Sequence, residues 1–132
     1  MILDCHGGVL SFGDNSFGQL GHSGTTSKNI PEMIPNLVDI VQVFGAGNTS
    51  IVKNDSHQFF VFGQNHSYIT QNGDILTPVE KENWRDKIIV PGGHHTVMLD
   101  EEGFLSFLGT EPDFVLKGKY EPKVNLPKFQ KA

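Results

Sequence analysis

Any chemistry in this chain of 132 residues would have to come from six histidines, one cysteine and fifteen carboxylates. Cys5-His6 and His94-His95 supply thiolate and imidazole, the ligand types that hold zinc. Neither pair has the spacing of a metal site along the sequence, so no metal and no cofactor is expected. Cys5 and His6 could act as nucleophile and base only on a common face, and neighbours on a strand point to opposite faces. Asp14-Asn15 and Asp100-Glu101-Glu102 cluster acids, as general acid–base catalysis requires. They fall, however, in polar stretches where Asp and Asn bond to their own backbone in turns. No G-x-x-x-x-G-K-[ST] run leads into a helix, which removes a phosphate-cradling loop. No residue receives a catalytic assignment, and the chain is not expected to be an enzyme.

The elements that position these residues are strands. Hydrophobic residues make up 37% of the chain and charged residues 19%, a balance that supports a packed core. Fifteen glycines separate aromatic and β-branched runs, the pattern of short strands joined by tight turns. Two segments repeat that pattern. GNTSIVKNDSHQFFVFG, residues 47–63, and GHHTVMLDEEGFLSFLG, residues 93–109, each run from glycine through a short apolar stretch, a polar turn and an aromatic-rich stretch to a closing glycine. Residues 6–15, HGGVLSFGDN, match the second half of the same hairpin. Pro31, Ile34, Leu37 and Ile40 precede one copy, as Pro78, Trp84 and Ile88 precede the other. A repeat of 46 to 50 residues, with about four short strands per period, is the pattern of propeller blades. Strands are predicted at residues 9–12, 40–44, 50–53, 58–62, 87–90, 96–99 and 104–108, with little or no helix and with loops at 21–28 and 67–74.

Phe12-Gly13-Asp14-Asn15 followed by Gly18-Gln19-Leu20-Gly21 closely resembles the repeat of the regulator of chromosome condensation family. Ala46-Gly47 and Gly92-Gly93 resemble that family's small-Gly pair before the hairpin. The pattern lapses after Gln64-Asn65, where His66-Ser67-Tyr68-Ile69-Thr70 stands in place of Gly-Gln-Leu-Gly, and again after Gly109. The resemblance implies an all-β, open, partial β-propeller of about two and a half four-stranded blades. A partial blade occupies residues 1–21, blade units occupy about 31–63 and 78–109, and 114–132 form a Lys-rich tail or linker. Such a stack cannot close the family's ring alone, so self-association or further blades in a longer parent chain are expected. Phe12, Phe62 and Phe107 or Leu108 are expected to pack between blades.

The function expected by that resemblance is a non-catalytic adaptor or scaffold that binds a protein partner. The expected contacts are the loops at 14–17, 64–68 and 110–113, carried by Asp14, Asn15, Phe17, Gln64, Asn65, Tyr68, Glu111 and Asp113. Guanine-nucleotide exchange on a small GTPase, or binding of histones or chromatin, is the alternative. Five lysines against Glu121 in residues 117–132 leave five basic and fourteen acidic side chains in residues 1–116, a balance of −9. That sign argues against DNA, whose phosphates select clustered Lys and Arg. The N-terminal residues have no basic and apolar leader pattern, and no apolar run is long enough to span a membrane. With one cysteine excluding an intrachain disulfide, an intracellular location is expected, cytoplasmic rather than nuclear.

Overall fold

A computed structural model describes residues 1–64, 73–92 and 95–109. They form three antiparallel sheets that do not close on one another. The first joins β1 (Ile2–Leu3), β2 (Val9–Gly13) and β3 (Lys28–Met33), in that order. The second has the order β4 (Ile40–Ala46), β5 (Thr49–Asn54), β6 (Phe59–Gly63), β7 (Ile75–Glu80). After a 3-10 turn at Glu82–Trp84, the third joins β8 (Ile88–Pro91), β9 (His95–Leu99) and β10 (Leu105–Gly109). β1 and β8 both pack against β4, which stacks the sheets as successive blades.

Three hairpin turns show why this sequence repeats. Asp4, Asn54 and Asp100 occupy the same position at the ends of β1, β5 and β9, where each hairpin turn begins. In each, one side-chain oxygen accepts two backbone N–H bonds: His6 and Gly8, Ser56 and Gln58, Glu102 and Phe104. In each, the fourth turn residue has positive φ: Gly7 at 82°, His57 at 64°, Gly103 at 88°. This is a type I turn closed by a left-handed residue, the common three-residue hairpin connection. Cys5 and His6 therefore lie at an exposed turn tip and not on a strand, which corrects the strand argument made from their adjacency.

The middle sheet is covered on both faces. Thr49, Ser50, Ile51 and Val52 are all buried in sequence, as are Phe59, Val61 and Phe62. Residues on both faces of one strand are buried only when a layer lies on each side, and the continuous apolar run Phe59-Phe60-Val61-Phe62 is the sequence consequence. Phe62 and Ile34 both close on Gly21 of the first blade, where an added Cβ would stand 3.1 Å from each, while Trp84 packs edge-on against Phe59 at 6.2 Å between centroids. Val9, Ile34, Leu37, Ile40, Ile75, Ile89 and Met98 complete the core cluster.

Among the described residues the end sheets are covered on one face only. Val9 and Ser11 point toward the second blade and are buried, so Phe12 points away and is 46% exposed. This corrects the expectation for Phe12: it is the counterpart of Phe62, but the face it occupies has no blade against it among the described residues. Ile2 and Met33, which pair with Leu10 across the sheet, share that open face. Ile88 and Val90 are exposed in the same way on the far side of the third blade. The side chains of Phe107 and Leu108 lie outside the described residues.

β1, β3 and β7 were not anticipated, and the sheets cut across the sequence units 31–63 and 78–109. β3 and β7 close the first and second blades from the outer edge, pairing with β2 and β6. β3 is exposed at five of its six residues and β7 at three, and each contains a proline, Pro31 or Pro78, which an edge strand tolerates because its outward N–H needs no partner.

Candidate interaction surface

The first strand-end loop is built from Gly13 onward. Gly13, Gly18 and Gly21 have φ of 110°, 82° and 76° and turn the chain three times in nine residues. Asn15 holds the turns together. Its Nδ2 donates to the carbonyls of Gly24 at 2.9 Å and Thr26 at 3.1 Å, and its Oδ1 accepts the Leu20 N–H at 2.9 Å. Asn15 is 1% exposed. This corrects its place among the expected contact residues: with its side-chain bonds directed inward, it positions the loop and presents nothing.

Asp14 is exposed at the loop's tip. Its Oδ1 accepts the Ser16 hydroxyl at 2.6 Å, and its Oδ2 accepts Gln19 Nε2 at 3.0 Å. The Ser16 hydroxyl is the main cause of a carboxyl held below its ordinary value of 3.8, so Asp14 is an anion at neutral pH. Gln19 Oε1 accepts the Phe17 N–H at 2.9 Å, so one glutamine sets both Asp14 and the half-buried Phe17. Gln64 follows the closing glycine of the second blade as Asp14 follows that of the first. Its N–H donates to Asn48 O at 3.0 Å, and its carbonyl accepts Thr49 Oγ1 at 2.8 Å. Asp14, Phe17 and Gln64 thus share one end of adjacent blades. Asn65, Tyr68, Glu111 and Asp113 lie outside the described residues.

Gly18-Gln19-Leu20-Gly21 is also the joint between blades. A Cβ on Gly18 would stand 2.6 Å from Leu76 Cδ2 and 2.9 Å from Leu76 Cα, and one on Gly21 would stand 3.1 Å from Phe62. Ser50 Oγ donates to Gln19 O at 2.8 Å, and Ser23 N–H donates to Leu76 O at 3.1 Å. Sequence reading missed Ser16, Gln19, Asn48 and Ser50 as organisers of the loops: Ser16 and Gln19 bond Asp14 and Phe17 within their own loop, whereas Asn48 and Ser50 reach Gln64 and Gln19 from distant parts of the chain.

One Ser–His pair has the reach for nucleophilic chemistry but not the protonation pattern. Ser11 Oγ lies 3.0 Å from His22 Nε2 and 2.7 Å from Leu20 O. The hydroxyl's single proton goes to the carbonyl, so Nε2 carries a hydrogen and donates to Ser11. A nitrogen that donates cannot remove the serine proton, and Ser11 is fully buried. Burial, then the charge of Lys28, holds His22 below its ordinary value of 6.5 against the opposing pull of Glu32. His22, Pro35, Asn36, Leu37, Phe60 and Pro78 line a groove of about 460 Å³ between the first two blades. No sequence pattern marks it, since its walls come from separate elements.

The hairpin-turn end is acidic. Asp4, Asp39, Asp55, Asp86, Glu101 and Glu102 lie there and outweigh Lys81, Arg85 and Lys87. Asp55 N–H donates to Asp39 O, and Ile40 N–H to Gly7 O, which ties the turns of two blades together. No helix among the described residues is long and apolar enough to cross a membrane.

The regulator of chromosome condensation (RCC1) repeat model matches residues 6–52, from the first hairpin turn into β5. Among solved structures, the chain is similar to human WBSCR16 at 19% identity and a TM-score of 0.66, over 81% of this chain and 29% of that one. It is also similar to yeast RCC1 (Prp20), crystallised with Kap60, at 19% identity and a TM-score of 0.59, over 77% of this chain and 28% of that one. The chain spans under a third of the length of these structures.

Proposed function

From a chain whose residues 6–52 are a regulator of chromosome condensation repeat, within blades that share that family's propeller fold, we propose a non-catalytic protein-interaction module. Its contact surface is the strand-end loops. The observation that carries this reading is the hydrogen-bonded display of Asp14 and Phe17, whose supports Asn15 and Gln19 are committed to internal hydrogen bonds. A preorganised loop loses little freedom on binding, so its contacts count toward affinity. That yeast RCC1 was crystallised with Kap60 supports a protein as the class of partner. The test is capture of partners by cross-linking with the parent chain and with Asp14→Arg/Phe17→Ala/Gln64→Ala. Loss of a partner with unchanged circular dichroism supports the reading, and retention of every partner defeats it.

The acidic hairpin end favours a second reading, in which basic protein segments such as histone tails are held by charge. Affinity for a lysine-rich peptide should then fall steeply with salt and rest on Asp39 and Asp55; salt-independent binding removes this reading. Guanine-nucleotide exchange on a small GTPase is tested directly by a nucleotide-release assay, where a flat trace excludes it.

A further inference from the structure

We propose that the groove between the first two blades receives one side chain of a partner protein: an aromatic ring carrying a single hydrogen-bond donor, as in tryptophan or tyrosine. Such a contact rests on the protein-interaction reading of the chain, yet it uses other residues than the strand-end loops. The acceptor is His22. Its Nε2 carries a hydrogen and donates to Ser11 Oγ at 3.0 Å, so in the neutral ring Nδ1 is bare and can only accept. The two ring nitrogens point in widely separated directions. With Nε2 committed to the buried Ser11, Nδ1 is turned toward the groove that His22 lines. Burial of the ring disfavours its charged form, which keeps that acceptor bare at neutral pH.

The walls fit an aromatic body. Leu37 and Phe60 contribute apolar surface, and Pro35 and Pro78 add side chains that have no rotamer freedom to lose. Thr77 and Pro78 reach the groove because β7 bulges: Ile75 pairs with Gly63 and Val79 with Val61, so three residues of the outer strand lie opposite Phe62 alone. A bulge of this kind re-aims side chains. Ser23 N–H donates to Leu76 O within that bulge at 3.1 Å, which ties the two walls together. A space of about 460 Å³ lies within the roughly 300–1,000 Å³ of small-ligand sites. Charge decides between occupants. Glu32 is paired with Lys28 at 2.9 Å, and Glu80, which stands across from Phe60, is paired with Arg85 at 2.9 Å. A cationic or anionic side chain entering the groove would shed water against charges already paired with each other. An indole or phenol keeps its apolar body on Phe60 and the prolines and brings the one donor that His22 can use.

The experiment is NMR titration of the whole chain with three neutral capped peptides: acetyl-Gly-Trp-Gly-amide, its N-methylindole analogue and acetyl-Gly-Phe-Gly-amide. The tryptophan peptide should shift the resonances of His22, Phe60 and Thr77 with the roughly millimolar affinity of an isolated side chain. Methylation of the indole nitrogen removes the donor and keeps the ring. The analogue should therefore bind roughly two- to tenfold more weakly, and the phenylalanine peptide likewise. His22→Phe should erase the preference for tryptophan over its analogue. Equal affinity of those two peptides for the parent chain overturns the proposal. So does tighter binding of acetyl-Gly-Lys-Gly-amide or acetyl-Gly-Glu-Gly-amide, or a titration that leaves all three residues unshifted. If His22→Phe fails to fold, the two indole peptides still decide. No partner is present in the titration, so its failure leaves the strand-end loops standing, and retention of partners by the loop variant leaves the groove standing.

Discussion

Gly18 is the most informative position to perturb, because two separate constraints meet there. Its φ of 82° belongs to the left-handed region, where an L side chain costs roughly 1–2 kcal/mol. A methyl group would in addition stand 2.9 Å from Leu76 Cα and 3.1 Å from Ile75 O, both backbone atoms of β7 that cannot rotate away. Crowding of this kind costs roughly a further 1–3 kcal/mol. Gly18→Ala is therefore expected to destabilise by roughly 2–5 kcal/mol, a large share of a stability of roughly 5–15 kcal/mol. Two other glycines separate the contributions. Gly13 has φ of 110° but open space around its Cβ direction, so Gly13→Ala carries backbone strain alone, roughly 1–3 kcal/mol. Gly24 has neither constraint, and Gly24→Ala should be neutral or stabilise by up to about 1 kcal/mol. Urea denaturation of the three variants gives the ordering directly, since with a slope of about 1–3 kcal/mol per M each kcal/mol of difference moves the midpoint by about 0.3–1 M. If Gly18→Ala costs no more than Gly13→Ala, close approach between blades is not what requires glycine in this motif, and the interface argument fails.

Asn15→Ala should cost roughly 2–4 kcal/mol by denaturant midpoint, because it strands the Leu20 N–H and the Gly24 and Thr26 carbonyls at a buried site. A loss under about 0.5 kcal/mol would mean water replaces all three bonds. His57 occupies at φ 64° the turn position that is glycine in the other two hairpins, so His57→Gly should raise the midpoint by up to about 1 kcal/mol; a lower midpoint would show that its side chain stabilises the turn. His22, held below 6.5 chiefly by burial, disfavours its charged form in the fold. The associated stability is present above the unfolded value of about 6.5 and is lost as pH falls toward the lower folded value. His22→Gln should therefore flatten the change in midpoint just below pH 6.5, and an unaltered pH profile would discount the burial of that ring.

What the sequence determined by itself is local. The glycine-to-glycine hairpins, the Asp or Asn at each turn and the motif from Phe12 to Gly21 are set by backbone φ and by hydrogen bonds within a few residues, so they repeat visibly along the chain. The inner strands were legible because burial makes them apolar. β3 and β7 were not, since an edge strand earns its place by backbone pairing and leaves its side chains in water, where proline and charge are tolerated. The candidate surface divides in the same way. Adjacent in the chain, Asp14 and Asn15 looked alike as contact residues; which one faces solvent depends on the Gly24 and Thr26 carbonyls that close over Asn15. Phe12 and Phe62 occupy equivalent places in the repeat, yet one is exposed and the other fully buried. Burial belongs to the face and the blade laid against it, and only tertiary packing supplies that blade.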